Sequence, residues 1–131
     1  MKPIAALFAV LAFAVSADAL ACTCAPNPPV PEAVERSTRV FLGTVTAIER
    51  HDGLLQHVTF QVTEHFKGSR VPSVVIENHA SGPMCGYPFQ EGGRYIVYAR
   101  GERGALTTTS CSRTTMVVQP GSDLEVLRAT N

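Results

Sequence analysis

The sequence predicts a small, mainly β domain, a five-stranded barrel with one or two short helices and two disulfides. Three observations carry that expectation. Five short runs rich in β-branched residues are separated by Gly, Pro or Asp-Gly turn signals. The chain has 131 residues, which suits one domain and no more. Its four cysteines, at 22, 24, 85 and 111, form an even set in a short chain with an export signal, and such a set reads as a disulfide framework.

The export signal is the amino-terminal stretch. Residues 1–21 place Lys2 before an apolar run from Ile4 to Val15 and close on Ala19-Leu20-Ala21. That is the anatomy of a secretory signal peptide, and the apolar run is too short for a permanent membrane anchor. Cleavage after Ala21 makes Cys22 the first residue of a domain spanning 22–131. No later apolar segment is long enough for a transmembrane helix. The expectation is therefore a monomeric domain without an anchor, secreted to the extracellular space or the periplasm. A lipid-modified Cys22 is the weaker reading. A lipobox has Leu three residues before the cysteine and a small residue two before, and Ala19 and Leu20 reverse that order.

The elements follow in order. Ala25 to Pro31 contains four prolines and is expected to run extended. Residues 31–37 suit one or two helical turns, with Pro31 first and acids in the first turn. From Arg39 the period changes to two. Val40–Ile48 is the first strand, with Gly43 marking a bulge or sharp coil. Asp52-Gly53 is a turn, and His57–Glu64 alternates as the second strand until Phe66-Lys67-Gly68-Ser69 breaks it. Ser73–Glu77 is the third strand, and Ala80–Pro88 is a loop rich in Gly and Pro. Arg94–Ala99 is the fourth strand, and Ala105–Ser110 is the fifth. Ser122 or Asp123 is placed to cap a final short helix through Leu127. Five short strands, a coiled first one and a short helix favour a closed barrel of the OB type.

Charge excludes one class of partner. Eleven basic residues balance eleven acidic ones, and no basic run supplies the electrostatics that nucleic acid requires. Catalytic machinery is not evident either. The sequence holds no G-x-S-x-G and no phosphate-binding glycine loop. His51, His57, His65 and His79 lack the close spacing of a zinc site and read as dispersed surface residues. An oxidised cysteine set leaves no thiolate nucleophile. The chain is read as a non-enzyme with no cofactor of its own.

The remaining candidate is the Cys22-Thr23-Cys24 terminus. A Cys22–Cys24 bridge would close a strained minimal loop. Two pairings are then open: Cys22–Cys85 with Cys24–Cys111, or Cys22–Cys111 with Cys24–Cys85. Each bridge closes roughly 60 to 90 residues, for which the chain-entropy model gives about 4 kcal/mol. Both pairings pin the same three residues to the body of the fold. Reduced, Cys22 and Cys24 suit a soft ion such as copper(I), but an oxidising compartment favours the bridges. A terminal α-amine titrates near pH ~7.7–8, so its neutral form is accessible at physiological pH. With the adjacent carbonyl it forms a five-membered chelate on a metal ion. Catalytic zinc in proteases keeps one position for water, and a rigid terminus that displaces this water blocks catalysis. Thr23 would then point into the pocket beside that metal.

At these residues the chain resembles the amino-terminal domain of the tissue inhibitors of metalloproteinases and the wider netrin-like OB-fold group. The matching segments are Cys22-Thr23-Cys24-Ala25-Pro26, Phe66-Lys67-Gly68, Met84-Cys85-Gly86-Tyr87 and Leu106–Ser112, in the family's order across nearly all of the mature chain. The resemblance implies a five-stranded barrel with pairings Cys22–Cys85 and Cys24–Cys111. It implies that Cys22 chelates the zinc of a target metalloprotease through amine and carbonyl. Thr23 would enter the specificity pocket, with Cys24, Ala25, Met84 and Cys85 completing the contact. The chain departs from the family in lacking a cysteine within 28–37 or after Cys111, and so the third disulfide of the inhibitory domain and the cysteine-rich segment beyond it. Its turn at Asp52-Gly53 is also short. The competing expectation is a netrin-like interaction module of the cell envelope that inhibits nothing and uses its bridges for stability.

Overall fold

The computed structural model describes residues 22–80, 84–101, 104–118 and 123–131. The signal-peptide expectation for 1–21, the centre of the loop at 81–83 and the Ser122 cap fall outside these residues. Helix α1 (Val30–Arg36) is followed by strands β1 (Arg39–Arg50), β2 (Leu55–Lys67), β3 (Ser73–His79), β4 (Arg94–Ala99) and β5 (Thr115–Met116), then helix α2 (Asp123–Ala129). The five strands form one antiparallel sheet in the order β3-β2-β1-β4-β5. The protein is mainly β, with two short helices and two disulfides. Among the described residues no helix is long and apolar enough to cross a membrane.

β1 is the axis of the sheet, and its composition explains why. Val40, Phe41, Leu42 and Val45 are all buried, so this strand is covered on both faces instead of alternating between core and solvent. Phe41 and Val45 face one core with Val58, Phe60, Ile76, Phe89, Tyr95 and Val97. Val40 and Leu42 face a second core with Val30, Ala33, Ile96, Tyr98, Leu124 and Leu127, where both helices pack. Consecutive residues of β4 divide between the two cores in the same way. In the first core the Phe60 ring meets Phe41 and Phe89 edge-on, at centroid distances of 5.4 and 5.1 Å.

The coil expected in the first strand is present. The β1–β2 register shifts between Val40 and Phe41, between Leu42 and Gly43, and between Val45 and Ala47, and each irregularity adds local twist. A Cβ on Gly43 would lie 3.0 Å from the Gln61 carbonyl and 3.2 Å from the Phe41 ring. The close approach of β2 therefore favours glycine there, since any side chain would push the Gln61 carbonyl or the Phe41 ring aside by a few tenths of an ångström.

One expectation is corrected. The segment 105–110 is not the fifth strand. Thr107 makes isolated bridges to Glu77 and Arg100, and β5 lies further on. The cause is local chemistry at the Thr/Ser run. Thr108 donates its hydroxyl to the Tyr98 carbonyl (2.9 Å), Thr114 bonds Thr108 (2.8 Å), and Ser112 donates to the Thr109 carbonyl (2.8 Å). These bonds fold the segment over β4 in place of a ladder, the usual competition between short hydroxyl side chains and regular structure. The strand ladder by itself does not close into a barrel among the described residues. The hydrogen-bonded sheet is open, with β3 and β5 at its edges, and the approach of its far sides runs through the isolated bridges at Thr107.

The expected helix at 31–37 is α1, one residue earlier, with Pro31 in its first turn. The final helix runs two residues beyond the expected Leu127. Asp123 begins it and holds it down: its carboxylate accepts from Arg113 Nε (2.8 Å) and Nη2 (2.6 Å) and from the Tyr98 hydroxyl (2.9 Å). Burial, then the neighbouring Asp123 charge, pushes the Tyr98 phenol well above its ordinary range. Further along, Arg128 of α2 pairs with Glu64 of β2. That hydrogen bond, ahead of opposing desolvation, lowers the Glu64 pKa below its ordinary 4.5. The pair's contribution is accordingly full above that value and is lost as pH falls through the depressed folded value. Asp123→Ala is expected to cost roughly 1.5–3 kcal/mol, because it strands Arg113 and the Tyr98 hydroxyl in a half-buried setting. The check is urea unfolding, where the midpoint should fall at unchanged m-value.

Candidate functional site

The amino-terminal segment is held by two bridges. Cys22 is bonded to Cys85, with Cα atoms 5.7 Å apart, and Cys24 to Cys111, with Cα atoms 5.1 Å apart. The partners are 63 and 87 residues distant in sequence. Of the two pairings that spacing leaves open, this is the one the family resemblance implies. All four cysteines are consumed.

Between and after the bridges Thr23, Cys24, Ala25, Pro26 and Asn27 are exposed. Met84, adjacent to Cys85, is 58% exposed. The sequence-predicted residues Cys22, Thr23, Cys24, Ala25, Met84 and Cys85 thus lie in two chain segments joined covalently at Cys22–Cys85. No charged side chain belongs to either segment.

The two bridge-bearing loops are also fastened to each other. The Ser110 amide, next to Cys111, donates to the Cys85 carbonyl at 2.7 Å. Cys85 itself has φ = +54°, a left-handed conformation that costs an ordinary L-residue about 1–2 kcal/mol. A bridge, a backbone hydrogen bond and a tightly packed successor all hold it there. That successor is Gly86, and a Cβ on it would fall 1.6 Å from the His79 carbonyl oxygen. No side chain fits.

Asn78 completes the platform, and sequence reasoning missed it. It is fully buried. Its amide nitrogen donates to the Tyr87 carbonyl (2.8 Å) while its oxygen accepts from the Tyr87 amide (2.9 Å). One side chain therefore satisfies both backbone groups of a residue two past Cys85, as a strand neighbour would. The available signal was parity: Val74, Ile76 and Asn78 are the buried positions of β3, so a polar residue continues an apolar alternation. Beyond it the Tyr87 hydroxyl accepts from the Met116 amide at 3.2 Å, tying the loop to β5.

No family model matches the sequence, and no curated protein matches it.

Behind the exposed segment lies a groove of ≈ 360 Å³ whose walls include Pro26, Tyr98, Thr108, Thr109 and Arg113. Its polar groups are largely engaged within the protein. Arg113 serves Asp123 and the Pro28 carbonyl, and the Thr108 and Thr109 hydroxyls bond neighbouring groups. Arg113 thereby ties the segment at Pro28 to α2 through Asp123. What the two bridged segments expose is the backbone around Thr23, the Thr23 side chain and Met84.

Asn78→Ala is expected to cost about 1–3 kcal/mol by leaving the Tyr87 peptide groups unmatched. Native-state hydrogen exchange should show the Tyr87 amide losing protection out of proportion to the β1 amides. Equal losses across the protein would assign Asn78 to global stability alone.

Proposed function

We propose that the domain is an exported metalloprotease inhibitor of the kind the tissue inhibitors represent, acting through the Cys22 end. Signal cleavage after Ala21 releases the Cys22 α-amine. That amine and the Cys22 carbonyl take the open position of the target's catalytic zinc and displace its water. Thr23 enters the adjoining specificity pocket, while Ala25, Met84 and Cys85 rest on the rims. The zinc belongs to the target; this chain contributes the chelating terminus.

The observation that carries the reading is the double anchoring of Cys22–Ala25, bridged at Cys22 and again at Cys24 with Thr23 exposed between them. Stability alone is served by bridges almost anywhere, whereas both of these converge on three residues. A terminus ordered before encounter loses little conformational entropy on docking, and affinity rises accordingly. The uncharged surface of the two segments suits a cleft that receives peptide backbone. The disulfides, together with the absence of a membrane-spanning helix among the described residues, are compatible with an extracellular site of action.

The test compares two forms of the exported protein on a panel of zinc proteases: one beginning at Cys22, the other retaining Ala21. The first is expected to inhibit at least one enzyme and the second none. Equal inhibition by both forms would rule out chelation, and no inhibition by either would leave the netrin-like interaction module. Thr23→Gly is expected to weaken inhibition by roughly tenfold, or about 1.4 kcal/mol, with an unchanged unfolding midpoint. An unaltered inhibition constant across the panel would remove Thr23 from the pocket.

A further inference from the structure

β3 is an edge strand, and only part of its outer edge is covered. The Glu77 amide donates to the Leu106 carbonyl at 2.8 Å, so at Glu77 the backbone polar groups point away from β2. Residues two apart along a strand share that direction, which turns the N–H and C=O of Val75 and Ser73 outward as well. Pro72 has the opposite sense, its carbonyl accepting from the Val62 amide of β2 at 2.9 Å. The 106–107 segment meets β3 at Glu77 alone. Among the described residues, no backbone group pairs with Ser73 or Val75 on the outer side. Proteins usually protect such an edge with proline, lysine or a bulge. The Ser73-Val74-Val75-Ile76 run has no proline and no charge, its register with β2 is unbroken, and Val75 is 49% exposed.

A groove of ≈ 250 Å³ follows this edge, lined by Ser73, Val75 and Glu77 of β3 and by Arg39, Gly104 and Leu106. The last three also line a wider cleft that continues past Gly68 and Ser69. The Arg39 stem lies over Gly68, where a Cβ would come within 3.2 Å of Arg39 Cγ. Among the described residues Arg39 forms no ion pair, and no acid lines the wider cleft. The one carboxylate lining the narrower groove, Glu77, faces His57 at 3.8 Å. An open row of backbone donors and acceptors thus runs beside an unpaired cation.

We propose that the Ser73–Val75 edge and Arg39 bind an extended segment of a partner polypeptide that carries an acidic side chain. The segment adds to the sheet as a strand antiparallel to β3, the slightly more stable sense, and exchanges N–H···O=C bonds with Val75 and Ser73. Main-chain bonds of this kind supply affinity, and side-chain contacts supply specificity. A β-branched residue opposite Val75 packs best against it. Gly68 and Ser69 belong to the turn before β3, so an antiparallel strand reaches Arg39 after it has passed Val75, and its acid follows the paired residues. Carboxylate and guanidinium there form a charge-assisted, two-pronged bond. The site shares no residue with the Cys22–Ala25 and Met84–Cys85 segments and does not depend on their proposed role.

The probe is a peptide capped at both ends, fluorescein-Gly-Ser-Thr-Val-Thr-Asp-Ser-amide, titrated into the untagged, exported protein by fluorescence anisotropy. Saturable one-to-one binding is expected, with slowed hydrogen exchange at the Ser73 and Val75 amides on saturation. Replacing Asp by Asn in the peptide should weaken binding roughly 10-fold, and Arg39→Gln should erase that preference. Val75→Pro removes the outward donor, a change that an edge strand tolerates, and should abolish binding while circular dichroism shows the fold retained. A peptide N-methylated at the residues that would bond β3 loses its donors without altering the protein, and it should not bind. No saturable binding overturns the proposal, as does binding that survives N-methylation or a folded Val75→Pro variant. Val75 protection that rises with protein concentration and needs no peptide gives the edge to a second copy of the chain and also overturns it. So does tighter binding by a peptide that ends in a free carboxylate where the Asp side chain stood.

Discussion

The bridged amino-terminal end of the fold depends on a short circuit of three links: Cys22–Cys85, Cys24–Cys111, and the Ser110 amide on the Cys85 carbonyl. Each link alone leaves a hinge. Cys22–Cys85 fixes one point of the amino-terminal segment, about which the rest can swing. Adding Cys24–Cys111 fixes a second point two residues on, but only if residues 85 and 111 are themselves fixed relative to each other. The Ser110–Cys85 hydrogen bond makes that connection across 25 residues of chain. The closed circuit converts two flexible strands of backbone into one rigid piece.

Rigidity must also be referred to the body of the domain, and different chemistry serves the two sides. On the Cys85 side the reference is β3, through the Asn78 amide on Tyr87 and the glycine-only contact of Gly86 with His79. On the Cys111 side it is β4, through the hydroxyls of Thr108, Ser112 and Thr114. Tyr98 supplies both its carbonyl, accepting from Thr108, and its amide, donating to Thr114 (2.9 Å). Arg113 then reaches the Pro28 carbonyl at 3.1 Å, so the proline-rich stretch after Cys24 is fixed as well. Satisfied buried networks of this kind specify one arrangement, because each partial arrangement leaves a costly unpaired group.

Much of this was legible in the sequence, and the failures have physical causes. Apolar, β-branched runs between turn signals located β1 to β4, with Arg94–Ala99 correct at both ends; β3 alternates, whereas β1 and β4 read as near-continuous apolar runs because both their faces are buried. The Thr107-Thr108-Thr109-Ser110 run carries the same β-branched signature, yet hydroxyls that find carbonyls nearby defeat the ladder. Propensity counts the branched carbon and overlooks the oxygen. The pairing of the cysteines could not be decided from spacing, which left two arrangements open, and it came instead from the resemblance of the Cys22-Thr23-Cys24 and Met84-Cys85-Gly86-Tyr87 segments to the inhibitor family. Asn78 was passed over because its role is set by Tyr87, nine residues away across a loop. Sequence spacing likewise separated His51 from His57, whose rings a hairpin returns to contact.

β3 connects the bridged terminus to the outer face of the sheet through its pleat. Successive residues of a strand point to opposite faces, and at the end of this one the alternation divides two tasks. Asn78 points inward and clamps Tyr87, and through it the Cys85 platform; Glu77 and His79, on either side of it, take the opposite face, where Glu77 approaches His57. The same strand end is held in place by the Ala80 amide on the Leu54 carbonyl at the hairpin tip (3.1 Å) and by the Glu77 amide on the Leu106 carbonyl (2.8 Å). The backbone of Glu77–His79 therefore carries the reference geometry for the bridged terminus and for the Glu77 end of the outer edge at once. Close-packed interiors transmit displacement and do not absorb it, so the inward and outward groups of this segment keep their relative positions as a unit.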